Sequence, residues 1–405
     1  MDVLALRQSW AQFCAAGPEA AKYFYATLFV IAPEARSMFP TNMSYQEDKL
    51  LAALGHIVSH VDDERELSAF AHRLGADHRR FRGTDRQGRE VPMGEWHYVW
   101  VGQALLATLE RFLGPRWTPQ LRAQWASAYE VVSRLMLTGA TEAERSTPPY
   151  WEAEVLSVQR RRADVCVFTV RPNYLCDYLP GQSLPVQVPQ LRVWRYLSPA
   201  NAPRLDGTIE FHVRAAGRFS THLVRRLRAG DQVLLGTPVG TALSSYDRSP
   251  HLPLLLVAGG TGLAPLRAVV EALRQGPGRA TTLVVGGRTA EDLYDDRALR
   301  ELASTWPSGG AGGWLRYVPT VEVGWQWSGA VGTAADTAGR LGPWRDTDVL
   351  VCGSPEMTRE TIGLLVSTGV PAERILAESY DHSLYPPLAD PAVAPARDFT
   401  GTGAR

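Results

Sequence analysis

LPLLLVAGGTGLAP, Leu252 to Pro265, decides the fold of the last third of the chain. LPLLLVA is uncharged and apolar, the pattern of a strand buried on both faces. Gly259, Gly260, Thr261 and Gly262 then form a turn, and Leu263, Ala264 and Pro265 open a helix. That order is the context of a phosphate loop. Glycines let the backbone approach a pyrophosphate, and the helix N-terminus favours its charge. The expected ligand is a nicotinamide dinucleotide.

Working outward, PLRAVVEALRQ reads as a helix, TTLVVGG as a strand and DRALRELAS as a helix. LRYVPTV, DVLVCG and ETIGLLVSTG keep the rhythm, so residues 248–382 are expected to form an α/β doubly wound parallel sheet that binds NAD(P). The remainder, 383–405, is rich in Pro and Ala and is expected to be a disordered tail. Upstream, SSYDRSPH marks a boundary. Before it, EAEVLSVQ, DVCVFTV, LPVQV, TIEFHV and DQVLLG alternate between Gly/Pro-rich turns, which predicts a small antiparallel β-barrel over 151–247. TGATEAERSTPP breaks periodicity and predicts a linker over 139–150. Residues 1–138 read as helices, among them AAKYFYATLFVI, QEDKLLAALGHIVSHV and ELSAFAHRLGADHRRF.

The chain's 405 residues suit two or three domains. Lys+Arg and Asp+Glu balance at 42 each, so no basic field favours nucleic acid. No apolar run is long enough for a membrane span, and the N-terminus has no signal-peptide pattern. Cys14, Cys166, Cys176 and Cys352 are scattered, without metal spacing, as expected of free thiols in a cytoplasmic protein. A monomer is expected.

The helical segment carries a second chemistry. A haem iron needs one proximal nitrogen on a helix and an apolar cavity opposite. His78, in ADHRRF, sits where such a ligand belongs. Gln46 and Leu50, one turn apart on QEDKLLAAL, share a helix face.

KYFYATLF, SMF, QEDKLLAAL, ADHRRF and HYVWVGQALLATL together resemble the globin domain of flavohaemoglobins, and the resemblance covers about residues 1–382 in the family's domain order. It implies an all-α globin, a ferredoxin-reductase-type FAD barrel and an NAD(P) domain, with haem b, FAD and NAD(P)H as cofactors. It makes Tyr25 the distal tyrosine and places Phe39 on the haem face. Gln46 and Leu50 then line the oxygen side, with His78 the axial ligand and Tyr98 the proximal tyrosine. Two departures stand out. FRGTDRQGREVPMGEWH is longer than the family's link between His78 and Tyr98. The family's proximal glutamate falls on Ala140, with Glu142 two residues away.

In ferredoxin-reductase-type barrels an Arg-x-Tyr-Ser motif holds the flavin. Arg195 and Ser198 of VWRYLSP fit that frame, while Leu197 takes the tyrosine's place and Tyr196 precedes it. GRFSTHL supports the site: Gly217, Ser220 and Thr221 offer backbone and hydroxyl donors to phosphate at a helix start. The same relatives place the pair equivalent to Cys352 and Gly353 beside the nicotinamide, and the acid and aromatic equivalent to Glu378 and Tyr380 near the flavin. Arg288 fits either an adenosine phosphate or a solvated loop. The choice between NADH and NADPH stays open, with NADH favoured.

The residues alone point to a three-domain haem–flavin oxidoreductase. The resemblance implies nitric oxide dioxygenase activity: electrons pass from NAD(P)H through FAD to haem, and nitric oxide and oxygen become nitrate. Two alternatives are a flavin reductase serving another acceptor, and a gas-binding or sensing globin with a maintenance reductase.

Overall fold

The computed structural model describes residues 2–39, 43–84, 90–92, 94–246, 252–275, 279–304, 314–324 and 327–379. Tyr380 and the tail 383–405 lie outside them, as does most of the boundary SSYDRSPH. The chain divides into two compact units, Met1–Trp151 with Gln187–Val193, and Glu152–Val186 with Trp194–Arg405.

The first unit is helical: α1 (Val3–Cys14), α2 (Gly17–Ile31), a 3-10 turn (Pro33–Met38), α3 (Ser44–Ser59) and α4 (Glu64–His78). Then come a hairpin of β1 (Arg82–Thr84) and β2 (Glu90–Pro92), α5 (Glu95–Leu113), and α6 (Pro119–Glu144). Local chemistry sets the starts. Asp2 accepts from the Ala5 amide, Asp63 from Glu66 and Thr118 from Leu121, each capping a free N–H at a helix start. Phe24, Tyr25 and Leu28 of α2 are buried together with Leu105, Leu109 and Leu113 of α5. Each side chain of this kind contributes roughly 1.5–3 kcal/mol when fully buried. The buried Trp125 indole donates to Ser9 Oγ at 3.0 Å, tying α6 to α1.

Two features differ from the sequence expectation. The long link after His78, expected as a polar loop, contains two short paired strands, with Gly83 opposite Val91, and its β1 strand lies against the Pro33–Met38 turn. The segment 139–144 is not linker: α6 runs through it to Glu144. Gly139 reads as a helix breaker, yet it is the residue that lets α6 touch α4. A Cβ there would lie 2.3 Å from His72 Cα, and one on Gly75 would lie 1.8 Å from the Met136 carbonyl oxygen. The two backbones meet with only hydrogens between them.

The second unit begins with a six-stranded antiparallel barrel, near-closed, in the order β6-β5-β8-β3-β4-β7. Its strands are β3 (Trp151–Arg160), β4 (Val165–Pro172), β5 (Leu184–Gln187), β6 (Trp194–Leu197), β7 (Ile209–Arg214) and β8 (Gln232–Leu235), with α7 (Arg218–Arg226) before β8. A bridge from Pro199 to Phe211 joins the end of β6 to β7. Phe168 and Phe211 fill the interior, ring centroids 5.3 Å apart.

A parallel sheet follows, ordered β12-β11-β10-β9-β13-β14. It is built from β9 (Leu254–Gly259), α8 (Leu263–Gln275), β10 (Thr281–Gly287), α9 (Asp296–Ser304), β11 (Leu315–Val321), β12 (Ala330–Val331), α10 (Ala334–Leu341), β13 (Asp348–Gly353), α11 (Pro355–Ser367) and β14 (Ile375–Ser379). Leu254 to Ala258 are buried throughout, as a central parallel strand requires. The strand order reverses at β9, with β10 on one side and β13 on the other. The crevice at the carboxyl ends of such a pair is where doubly wound sheets bind ligands. No helix among the described residues is long and apolar enough to cross a membrane.

Candidate functional site

In the helical unit, Tyr25 comes from the buried face of α2 and donates its hydroxyl to the Gln46 carbonyl at the start of α3, 3.1 Å away. Phe39 closes over it, ring centroids 5.3 Å apart, and Leu50 packs into the same core. Tyr25, Phe39, Gln46 and Leu50 are thus brought together. Burial pushes the Tyr25 phenol far above its ordinary value, so it stays protonated and able to donate.

His78 ends α4. Burial first, then the charges of Arg80 and Lys49, push its imidazole down to about 4. It is therefore neutral, as a metal-binding histidine must be. Its Nδ1 is buried and has no hydrogen-bond partner. Tyr98, at the start of α5, is buried with Leu67, Val132 and Met136, and burial pushes its phenol up to about 12. Its carbonyl accepts from the Tyr129 hydroxyl at 2.6 Å.

The proximal His–Tyr–Glu network is not formed. Glu142 pairs instead with His72 Nδ1 at 3.3 Å. The helix register explains this. Gly75 lies on Met136 and His72 on Gly139, so α4 and α6 run in opposite senses. One further turn brings His78 level with Ser133, whereas Ala140 and Glu142 lie at the far end of the crossing.

On the barrel, Arg195, Tyr196 and Leu197 are half-buried on β6. Arg195 donates to the Trp194 carbonyl at 2.8 Å. Ser198 is buried, its Oγ 3.1 Å from Ser183 Oγ. Gly217 caps α7 with open space where a Cβ would be. Ser220 Oγ accepts from the amides of Ala216 and Gly217, both at 3.0 Å, and donates to the Gly217 carbonyl at 3.2 Å. Thr221 donates its amide to the Gly217 carbonyl, leaving its half-buried hydroxyl without such a commitment.

The glycine loop lies at the switch point. Gly260 has φ +54°, a conformation natural to glycine. A Cβ on Gly262 would lie 2.4 Å from the Cys352 carbonyl oxygen, so the loop sits directly on the end of β13. Thr261 is half-buried, and Leu263, Ala264 and Pro265 are buried at the start of α8. Cys352 is opposite Glu378 in the register of β13 and β14, and Gly353 opposite Ser379. Burial lifts the Glu378 carboxyl to about 7, against hydrogen bonds from Thr241, Leu243 and Ala242 that favour its charged form. Arg288 is exposed on the turn after β10.

Sequence reasoning missed Arg214. At the end of β7, it pairs with Asp164 at 3.1 Å and Asp292 at 3.4 Å, and its Nη1 would lie 3.4 Å from a Cβ on Gly260. A cation at a strand end looks like any exposed arginine until the loop beside it is known.

Three family models match in order: Globin over residues 22–136, Oxidoreductase FAD-binding domain over 153–243, and Oxidoreductase NAD-binding domain over 256–362. A flavohaemoprotein of Deinococcus radiodurans is 28% identical over 91% of this chain and 93% of its own length. The chain thus joins a globin to FAD- and NAD-binding oxidoreductase domains, in the order and over nearly the full length of a flavohaemoprotein. A flavohaemoglobin from Malassezia yamatoensis, solved with bound FAD and haem, shares the fold with a TM-score of 0.70 at 16% identity, covering 94% of this chain and 98% of that one. The FAD/NAD-binding domain of a nitric oxide dioxygenase from Vibrio cholerae matches 57% of this chain and 98% of its own, with a TM-score of 0.50 at 19% identity.

The chain is therefore an NAD(P)H-dependent haem–flavin oxidoreductase with haem, FAD and NAD(P)H as its cofactors. Its residues fit all three. The neutral His78 with an orphaned ring nitrogen suits iron, the open Gly217 helix start suits a flavin phosphate, and the loop Gly259–Gly262 suits a second pyrophosphate.

Proposed function

We propose that this protein oxidises nitric oxide to nitrate with oxygen, as a nitric oxide dioxygenase fed by NAD(P)H. The observation that carries the reading is the distal arrangement: a buried, protonated Tyr25 hydroxyl 3.1 Å from the Gln46 carbonyl, beside Phe39 and Leu50. The names of its relatives, a flavohaemoprotein and a nitric oxide dioxygenase, point the same way.

When bound, haem supplies the oxygen chemistry, and FAD turns a two-electron hydride into single electrons. His78 offers iron a neutral imidazole nitrogen. Tyr25, whose hydroxyl rests on the Gln46 carbonyl, would offer that hydrogen bond to oxygen, and its raised pKa keeps the proton on the phenol. Phe39 and Leu50 exclude water from that side. Tyr98 packs the proximal face. Backbone amides of Gly259 to Gly262 and the start of α8 would hold the coenzyme pyrophosphate, with Arg214 beside the loop and Cys352 and Gly353 at the adjoining strand end. Arg195, Tyr196, Leu197 and Ser198 would hold the flavin, with Gly217 and Thr221 offered to its phosphates and the half-buried Glu378 to its ring. Arg288 is placed for the adenosine end.

One observation favours a second reading, a reductase for another small acceptor. Glu142, the carboxylate nearest the family's proximal position, pairs with His72 and not with His78. The test is direct. The purified, cofactor-replete protein should form nitrate from nitric oxide, oxygen and NADH, and His78→Ala should lose both nitrate formation and the haem absorbance band. Absence of nitrate with intact haem and flavin would instead support the second reading.

A further inference from the structure

Hydride transfer from coenzyme to flavin needs the reacting atoms about 3–3.5 Å apart. In this chain the two rings are held by different layers. The flavin belongs to the barrel strand β6, the nicotinamide to the loop and helix after β9. Apolar packing joins these layers at Leu243 and Tyr246, and a buried charge cluster joins them beside the flavin-strand turn.

Arg267 lies one turn into α8, its side chain 13% exposed. Its Nη1 donates to the Ala200 carbonyl at 3.0 Å and to Glu210 on β7. Its Nη2 meets Glu271, one turn further along α8, at 3.2 Å. Its Nε faces Asp295, side chain 2% exposed, at 3.2 Å. Glu271 in turn accepts from the Ala202 amide at 3.3 Å. Nη1 is thus hydrogen-bonded, Nη2 and Nε lie within ion-pair distance of Glu271 and Asp295 without a hydrogen bond from Nε, and two α8 side chains grip the turn 200–202 that begins two residues after Ser198.

That turn is itself stiff. The Ala200 amide donates to the Glu210 carbonyl at 2.7 Å, and the fully buried Asn201 side chain accepts from the Glu210 amide at 2.6 Å. At the other end of the chain of contacts, Gly262 is seated on the Cys352 carbonyl, so the loop cannot slide on the sheet. Buried ion pairs add little net stability, but removing one partner is costly, so the cluster holds the helix against the turn.

We propose that Arg267 and Glu271 are positioning residues for flavin reduction: they lock the dinucleotide helix to the flavin-strand turn and so set the distance between the two rings. The inference rests on the reading that NAD(P)H reduces the flavin held by β6. In that step the nicotinamide C4–H bond breaks with its electron pair and the flavin N5–H bond forms. The coenzyme is oxidised and the flavin reduced by two electrons, and neither residue gains or loses a proton.

The test uses the full-length holoprotein and the variants R267Q, R267K and E271Q. FAD content, the NAD+ dissociation constant, the long-wavelength charge-transfer absorbance on mixing with NADH and the anaerobic rate of flavin bleaching are measured together. R267Q should keep FAD and NAD+ binding, weaken the charge-transfer band and slow bleaching by about tenfold to a hundredfold, the scale of a 1 Å misplacement. E271Q should move the same readouts by less, and R267K should recover part of the loss. Parental bands and rates in R267Q and E271Q overturn the proposal, as does a loss that merely tracks lost FAD. Should R267Q fail to fold, E271Q decides by the same criteria. Failure of the parent protein to be reduced by either coenzyme overturns the underlying reading, and is distinguished because it precedes any variant.

Discussion

Two titratable side chains have environments that translate into measurable behaviour. Tyr25 is buried among aromatic rings with its hydroxyl on the Gln46 carbonyl. Tyr25→Phe removes one hydrogen bond, about 1 kcal/mol, from the fold or from a distal ligand. The oxygen dissociation rate from the reduced protein should rise, by roughly fivefold on that scale; an unchanged rate would place the hydroxyl elsewhere. Glu378 carries a carboxyl lifted by burial to about 7 from an ordinary 4.5. Such a group stabilises the fold most when protonated, and its contribution is lost as the pH rises through that window. Glu378→Gln is neutral at every pH. Its melting temperature should therefore fall less than the parent's between about pH 5 and pH 8; parallel curves would contradict the buried, proton-holding carboxyl. His78 is singled out in the sequence by its helix and its neighbours, and the structure adds that it ends α4 with a buried ring nitrogen. Arg267 and Glu271 are not singled out. Spaced four apart on a helix they look like a solvated pair, and only the fold brings Ala200, Glu210 and Asp295 against them.

Elements explain where the reading along the chain held and where it slipped. The run Leu254–Ala258 is legible because a strand buried on both faces can tolerate no charge, and the structure has it at the centre of the sheet. The hairpin β1–β2 is not legible, since strands of three residues show no alternation to detect. The end of α6 was misread for a physical reason. Gly139 has a low helix propensity, but its missing side chain lets α6 pass within touching distance of His72. The close crossing then carries Glu142 to His72 and away from His78. Gly139→Ala should force the two helices apart and cost about 1–3 kcal/mol or more, as overpacking does. A denaturant melt checks it, and haem retention should fall in the same variant, because α4 bears His78. A neutral or stabilising effect would mean the crossing is looser than the structure has it.

At the scale of the whole molecule, three modules stand in the order globin, FAD-binding and NAD-binding, as the family models match them. That order was legible because each module has its own periodicity: helical spacing, then alternation, then strand and helix in turn. What sequence could not reveal is how the reductase is held together, since the clamp on α8 consists of residue types that are ordinarily exposed. It also could not reveal that the proximal carboxylate is diverted, because that depends on the register of two helices. The central claim is that one polypeptide relays electrons from a nicotinamide, through flavin, to a haem on His78. The most direct measurement is an anaerobic stopped-flow spectrum of the holoprotein mixed with NADH or NADPH. Flavin absorbance should bleach first, and the haem band should then shift to its ferrous position, with His78→Ala showing only the first phase. A flavin that bleaches while the haem of the parent protein stays ferric would contradict the account.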